Sequence, residues 1–111
     1  MYTFIELWTP NDTWLALSAE DRQAFMEGVG GAMEQMTAAG ITTLGWGVVD
    51  DDTPYPAEQR YVAVWQAPSL EAITMLEEGV EGSGWYQYFD QVNARAELHG
   101  PEVVIGAHIT M

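Results

Sequence analysis

Tyr2-Thr3-Phe4-Ile5-Glu6-Leu7-Trp8 is the stretch on which the fold turns. β-branched and aromatic residues dominate it and Pro10-Asn11-Asp12 follows, the composition of a strand closed by turn residues. Alternation places Tyr2, Phe4, Glu6 and Trp8 on one face and Thr3, Ile5 and Leu7 on the other. Both faces are largely apolar, so the strand is expected at the centre of a sheet and covered on both sides.

Working outward, Ser18-Ala19-Glu20-Asp21 has the spacing of a capping box, in which a serine oxygen accepts a helix-terminal N–H. The helix it opens carries an apolar stripe of Phe25, Val29, Ala32, Met33 and Met36, and Gly40 supplies the stop. Gly28, Gly30 and Gly31 lie within it, which predicts close approach to a strand or a looser helix beside a pocket. Residues 41–49 and 60–66 read as the second and third strands, joined by a long acidic connection over 50–59. Pro68-Ser69 introduces a second helix through Leu70, Ile73 and Leu76, ending near Gly79. After Gly82-Ser83-Gly84, the spacing of Trp85, Tyr88, Phe89, Val92 and Ala96 predicts more helix. Gly100-Pro101 is a turn, and Val103 to Ile109 reads as the last strand. No composition shift divides the chain, so residues 1–111 are expected to form one domain. The order is that of an α+β, ferredoxin-like β-α-β-β-α-β fold, with a four-stranded antiparallel sheet and helices on one face. The other face carries aromatic residues where a solvated face would carry charges, so a second copy is expected to cover it as a homodimer.

Composition excludes several function classes. Of 111 residues, 17 are acidic and 3 basic, a formal net charge of −14. The cations are Arg22, Arg60 and Arg95, and lysine is absent, so neither nucleic acid nor an anionic membrane surface is an expected partner. Without cysteine there are no disulfides, thiolate metal sites or cysteine nucleophiles. No signal-peptide pattern or long apolar span is evident, which makes the cytoplasm the expected compartment. Asp50-Asp51-Asp52 lacks the glycine and later glutamate of a calcium loop, and the two histidines lack metal-ligand spacing, so no metal site is expected. Gly28-Val29-Gly30-Gly31 is mid-helix, not a phosphate loop, and there is no nucleophile elbow. The expected cofactor is none.

The element order, the opening strand and the segment Trp85-Tyr86-Gln87-Tyr88-Phe89-Asp90-Gln91-Val92-Asn93-Ala94-Arg95 resemble the dimeric α/β-barrel superfamily, and within it a small bacterial family of about this size. The resemblance implies small ferredoxin-like subunits paired sheet to sheet. Across that superfamily it implies cofactor-free monooxygenases, isomerases and cyclases, and also haem-binding enzymes, but it transfers no catalytic motif to these residues.

Glu6 is the most informative single residue. A carboxylate between Phe4 and Trp8 is costly unless paired, hydrogen-bonded or protonated, and in an apolar cavity its pKa rises into the range useful for general acid or base work. The alternative is a carboxylate tied to an arginine or to backbone. His108, on the expected last strand, is the second catalytic candidate and could approach Glu6 across one face; the alternative is a terminal surface histidine. His99 sits in a turn. Phe4, Trp8, Trp46, Tyr61, Trp65 and Tyr88 are the expected lining of a substrate pocket, against the alternative that they are core or interface. Arg60 and Arg95 are expected in internal salt bridges. The leading function is a cofactor-independent isomerase, cyclase or monooxygenase moving a proton on a small hydrophobic or aromatic molecule. The alternatives are a ligand-binding module without proton chemistry and a structural dimer whose aromatic face leaves no cavity.

Overall fold

The computed structural model describes residues 1–111. Four strands, β1 (Tyr2–Pro10), β2 (Thr42–Val48), β3 (Tyr61–Ala67) and β4 (Phe89–Glu97), form one antiparallel sheet in the order β2-β3-β1-β4. The opening strand is central, as its two apolar faces require. Helix α1 (Asp12–Leu15) is a single turn, capped by the Asn11 side chain accepting from Trp14 N–H. Helix α2 (Ala19–Ala38) starts where Ser18 Oγ accepts from Asp21 N–H, and it ends at Gly40 in the left-handed conformation (φ +86°). Helix α3 (Leu70–Gly82) begins at Ser69, whose Oγ accepts from Ala72 N–H.

Two elements differ from the sequence reading. The stretch expected to continue as helix is a 3-10 turn at Trp85–Gln87 followed by strand β4, and Val103 to Ile109 is helix α4 (Pro101–Ile109), not a strand. Gly84, left-handed at φ +84°, turns the chain out of α3 so that Trp85 enters the core. The first error arises because residues 89–97 satisfy period 2 as well as period 3.6. After Phe89 and Asp90 their inward set is polar (Gln91, Asn93, Arg95) and their outward set apolar (Val92, Ala94, Ala96), the reverse of an ordinary edge strand. The second arises because a short β-branched run has no decisive periodicity. Pro101 at the first helical position was the available signal.

Helices α2 and α3 cover the face bearing Phe4, Glu6, Trp8, Ala63 and Trp65, and with Trp14, Ile73, Leu76, Trp85 and Phe89 these residues make the core. Most of the aromatic residues are thus consumed within the chain, while Trp46 stays 43% exposed at the edge of the same face. By register the open face carries Ile5, Leu7, Val62, Val64, Val92 and Ala94, which are half-exposed or exposed, so the face left to cover is aliphatic and not aromatic.

The glycines of α2 do not mark close approach, since a Cβ at Gly28, Gly30 or Gly31 would meet nothing within 4 Å. Gly31→Ala is therefore expected to stabilise the protein by up to about 1 kcal/mol, read as an increased urea midpoint with unchanged slope. A loss of stability would show that the helix needs its looseness.

Candidate active site

Glu6 lies at the middle of the central strand and is 4% exposed. Its Oε1 accepts from the Trp65 indole N–H at 2.7 Å, and its Oε2 accepts from Gln91 Nε2 at 2.7 Å. The local fold dictates both partners. Phe4 is opposite Trp65 on β3 and Trp8 is opposite Gln91 on β4, so each donor is one diagonal step from Glu6 on the same face. Gln91 is itself fully engaged: its Oε1 accepts from the Trp85 indole N–H at 2.7 Å, and its Nε2 also donates to Asn93 Oδ1 at 2.7 Å. Asn93 Nδ2 reaches Tyr86 Oη at 3.2 Å, which links the 3-10 turn to the network.

No cation takes part. Arg95 pairs with Glu77 at 2.6 Å, the internal ion pair expected of it, and both partners are substantially exposed. Arg22 donates to the Trp14 and Leu15 carbonyls at the end of α1. Arg60 forms no ion pair. Glu6 is therefore held by neutral donors alone. Burial pushes its carboxyl above the ordinary carboxylate range, against the opposing pull of the bonds from Gln91 and Trp65.

Beside this carboxyl is a cavity between the sheet and the two long helices. Its walls are Trp46, Trp65 and Trp85, with Val29, Met33 and Met36 from α2 and Leu76 and Val80 from α3. The space open to the centre of a water-sized sphere is about 50 Å³. One water needs ~10–15 Å³ by that measure, so the cavity admits a molecule of a few heavy atoms. A larger guest requires the methionines to move, and unbranched thioether chains do so readily. Gly79 faces the tip of Met36, where an added Cβ would come within 2.9 Å, so the missing side chain leaves Met36 its place.

Of the residues expected at the site, Glu6, Trp46 and Trp65 come together at the cavity. Phe4 is fully buried core, and Trp8 packs edge-on to Trp46 and Trp85 and stacks with Tyr61 one layer behind the wall. Tyr88 packs with Trp14, Phe25 and Phe89 behind Trp85 and does not itself line the cavity. His108 is not on a sheet strand. It sits on exposed α4 with Nδ1 2.8 Å from the Val104 carbonyl oxygen, and neither Glu6 oxygen bonds to it. The sequence reading missed Gln91 and Trp85 as site residues. The alternation of polar side chains over Gln91, Asn93 and Arg95 was the signal for the first.

No histidine lines the cavity and its volume is far below that of a porphyrin, so these residues do not fit a haem. No group of three or more His, Asp or Glu side chains is placed to hold a metal ion. No helix is long and apolar enough to cross a membrane.

The family described as "Family of unknown function (DUF6616)" matches residues 1–111, and the chain belongs to it. No curated protein is significantly similar in sequence. Among solved structures, a chlorite dismutase variant from Candidatus Nitrospira defluvii is similar at TM-score 0.72 and 15% identity, covering 95% of this chain and 43% of that one. This chain thus spans under half the length of that enzyme. A protein from Arabidopsis thaliana is similar at TM-score 0.65 and 12% identity, with 90% and 97% of the two chains covered. A dimeric ferredoxin-like protein from an uncultured marine organism is similar at TM-score 0.50 and 14% identity, with 88% and 94% covered. These likenesses agree with the ferredoxin-like α+β fold read from the sequence.

Proposed function

We propose that this member of the family is a small cytoplasmic enzyme that moves a proton at Glu6, on a small and largely apolar substrate held between the tryptophan wall and the methionines of α2. The observation that carries this reading is a carboxyl group buried beside an apolar cavity with no cation to hold its charge. Such a carboxyl keeps its proton to higher pH than an exposed one and exchanges it with a bound molecule, which is general acid and base work. Proton abstraction next to a carbonyl and return at another atom, an isomerisation or ring closure, needs no more than one such group. The same proton removal from the hydroxyl of an electron-rich phenol or quinol would leave an anion that can pass electrons to dioxygen, the co-substrate an oxygenation requires. A homodimer closed over the open sheet face belongs to this reading, and the dimeric marine neighbour of the same fold supports it.

A ligand-binding module without proton chemistry is the second reading. It is favoured by the hydrogen bonds that both Glu6 oxygens already accept. Carbon-13 NMR titration of the Glu6 carboxyl, assigned by its absence in Glu6→Gln, separates the two. The enzyme reading expects a midpoint above the ordinary 4.5. A midpoint at or below that value overturns it in favour of simple binding.

A further inference from the structure

Helix α4 stands apart from the fold that precedes it. All of its residues except Gly106 are exposed, and it carries no side chain into the core. Val103, Val104, Ile105 and Ile109 are 54–77% exposed. Successive residues of a helix point about 100° apart, so Val103, Val104 and Ile105 make more than half its girth apolar, and a helix apolar all round is ordinarily buried. The shape of the molecule agrees. The chain extends over 52 Å along its longest axis with a radius of gyration of 16.1 Å, where a compact chain of this length has about 13 Å.

We propose that α4 is an exchanged arm, packing against a second copy of this chain and extending the apolar contact made by the open sheet face. Three observations select a second copy as the occupant. Helix α4 follows β4 after three residues, and β4 is the edge strand that carries Val92, Ala94 and Ala96 on the open face, so the arm starts at the border of that face. Both surfaces are nearly free of charge in a chain of net −14: the acids are Glu102 on the helix and, by register, Asp90 on the sheet face. Two such chains repel over most of their surfaces and can meet only where the carboxylates are missing.

Area gives the third. Four strands about 4.8 Å apart and about seven residues long offer roughly 400 Å² of face, half of the ~800 Å² per partner found in stable interfaces. Apolar side chains worth ~1.5–3 kcal/mol at ~25 cal/mol per Å² present on the order of 100 Å² each. Three or four of them on α4 supply most of the shortfall. The contact is isologous, each arm reaching the other copy.

The inference rests on the sheet pairing proposed above but fails separately from it. Sedimentation equilibrium of the full chain and of a chain ending at His99 measures both. The expected result is a dimer whose dissociation constant rises about tenfold or more on truncation, with the tryptophan fluorescence of the core unchanged. A full chain that stays monomeric at high micromolar concentration overturns the pairing and the arm together. A truncated chain that dimerises as tightly as the full one overturns the arm alone. Because the chain has no cysteine, Ile105→Cys gives a second readout independent of truncation. Maleimide labelling is expected to slow as protein concentration rises through the dimer range, and labelling at the free-peptide rate at every concentration overturns the proposal.

Discussion

Glu6→Gln is expected to lower proton exchange with a bound carbon acid by about 10²–10⁴-fold, the usual contribution of a positioned general acid or base. The measurement does not require the physiological substrate to be known. Small cyclic ketones, lactones and phenols, the larger of which enter as the methionines move aside, are incubated with the protein in deuterium oxide, and solvent deuterium entering each is read by proton NMR. The amide is neither a general acid nor a general base near neutral pH, yet it matches the carboxylate in shape, so the tryptophan and methionine walls should still hold the guest. Binding should therefore weaken much less than exchange. The substitution is not silent in hydrogen bonding: Trp65 and Gln91 both donate to Glu6, and an amide accepts at one end only. A modest loss of stability, of order 1–3 kcal/mol, accompanies it. Equal deuterium incorporation by the two proteins would remove Glu6 from the chemistry.

The central strand and its carboxylate were legible because the rules involved are local. A run of aromatic and β-branched residues makes a strand, and a glutamate in register with Phe4 and Trp8 must share their buried face. The caps at Ser18 and Ser69, the apolar stripe of α2 and its stop at Gly40 were legible for the same reason. Strand β4 was not, because its pattern makes sense only after tertiary structure is known. Of its inward polar side chains Gln91 serves Glu6, Asn93 supports Gln91 and Arg95 pairs with Glu77, and its outward ones are apolar on a face that its own chain leaves open. Helix α4 was misread because its short β-branched run has no decisive periodicity and none of its side chains is buried in the chain's own core. Moving the last strand from 103–109 back to 89–97 also separates His108 from Glu6 and puts Gln91 in its place. The element order survived this because a strand still closes the sheet beside β1.

Gln91→Leu is the substitution expected to cost most in stability, by about 3 kcal/mol or more. It removes the donor to Glu6 Oε2 and at the same time the acceptor of the Trp85 indole N–H, stranding one buried acceptor and one buried donor. Each stranded group costs roughly 1–3 kcal/mol, more when it is charged. The loss must depend on pH, and its sign follows from linkage. Glu6 in the folded protein already holds its proton above the ordinary value of 4.5, because burial outweighs its two hydrogen bonds. The folded state thus binds more protons than the unfolded state from about that pH up through the raised pKa, and the stability contributed by Glu6 falls as pH rises across this window. Removing the Gln91 bond, which favours the ionised form, raises the folded pKa further. The variant should then lose stability with pH more steeply and over a wider range, with its deficit smallest where Glu6 is protonated in both proteins. Urea unfolding followed by tryptophan fluorescence at a series of pH values from 4 to 8 reads both quantities. A deficit that does not change with pH would mean that Gln91 supports Trp85 and packing, but not the charge on Glu6.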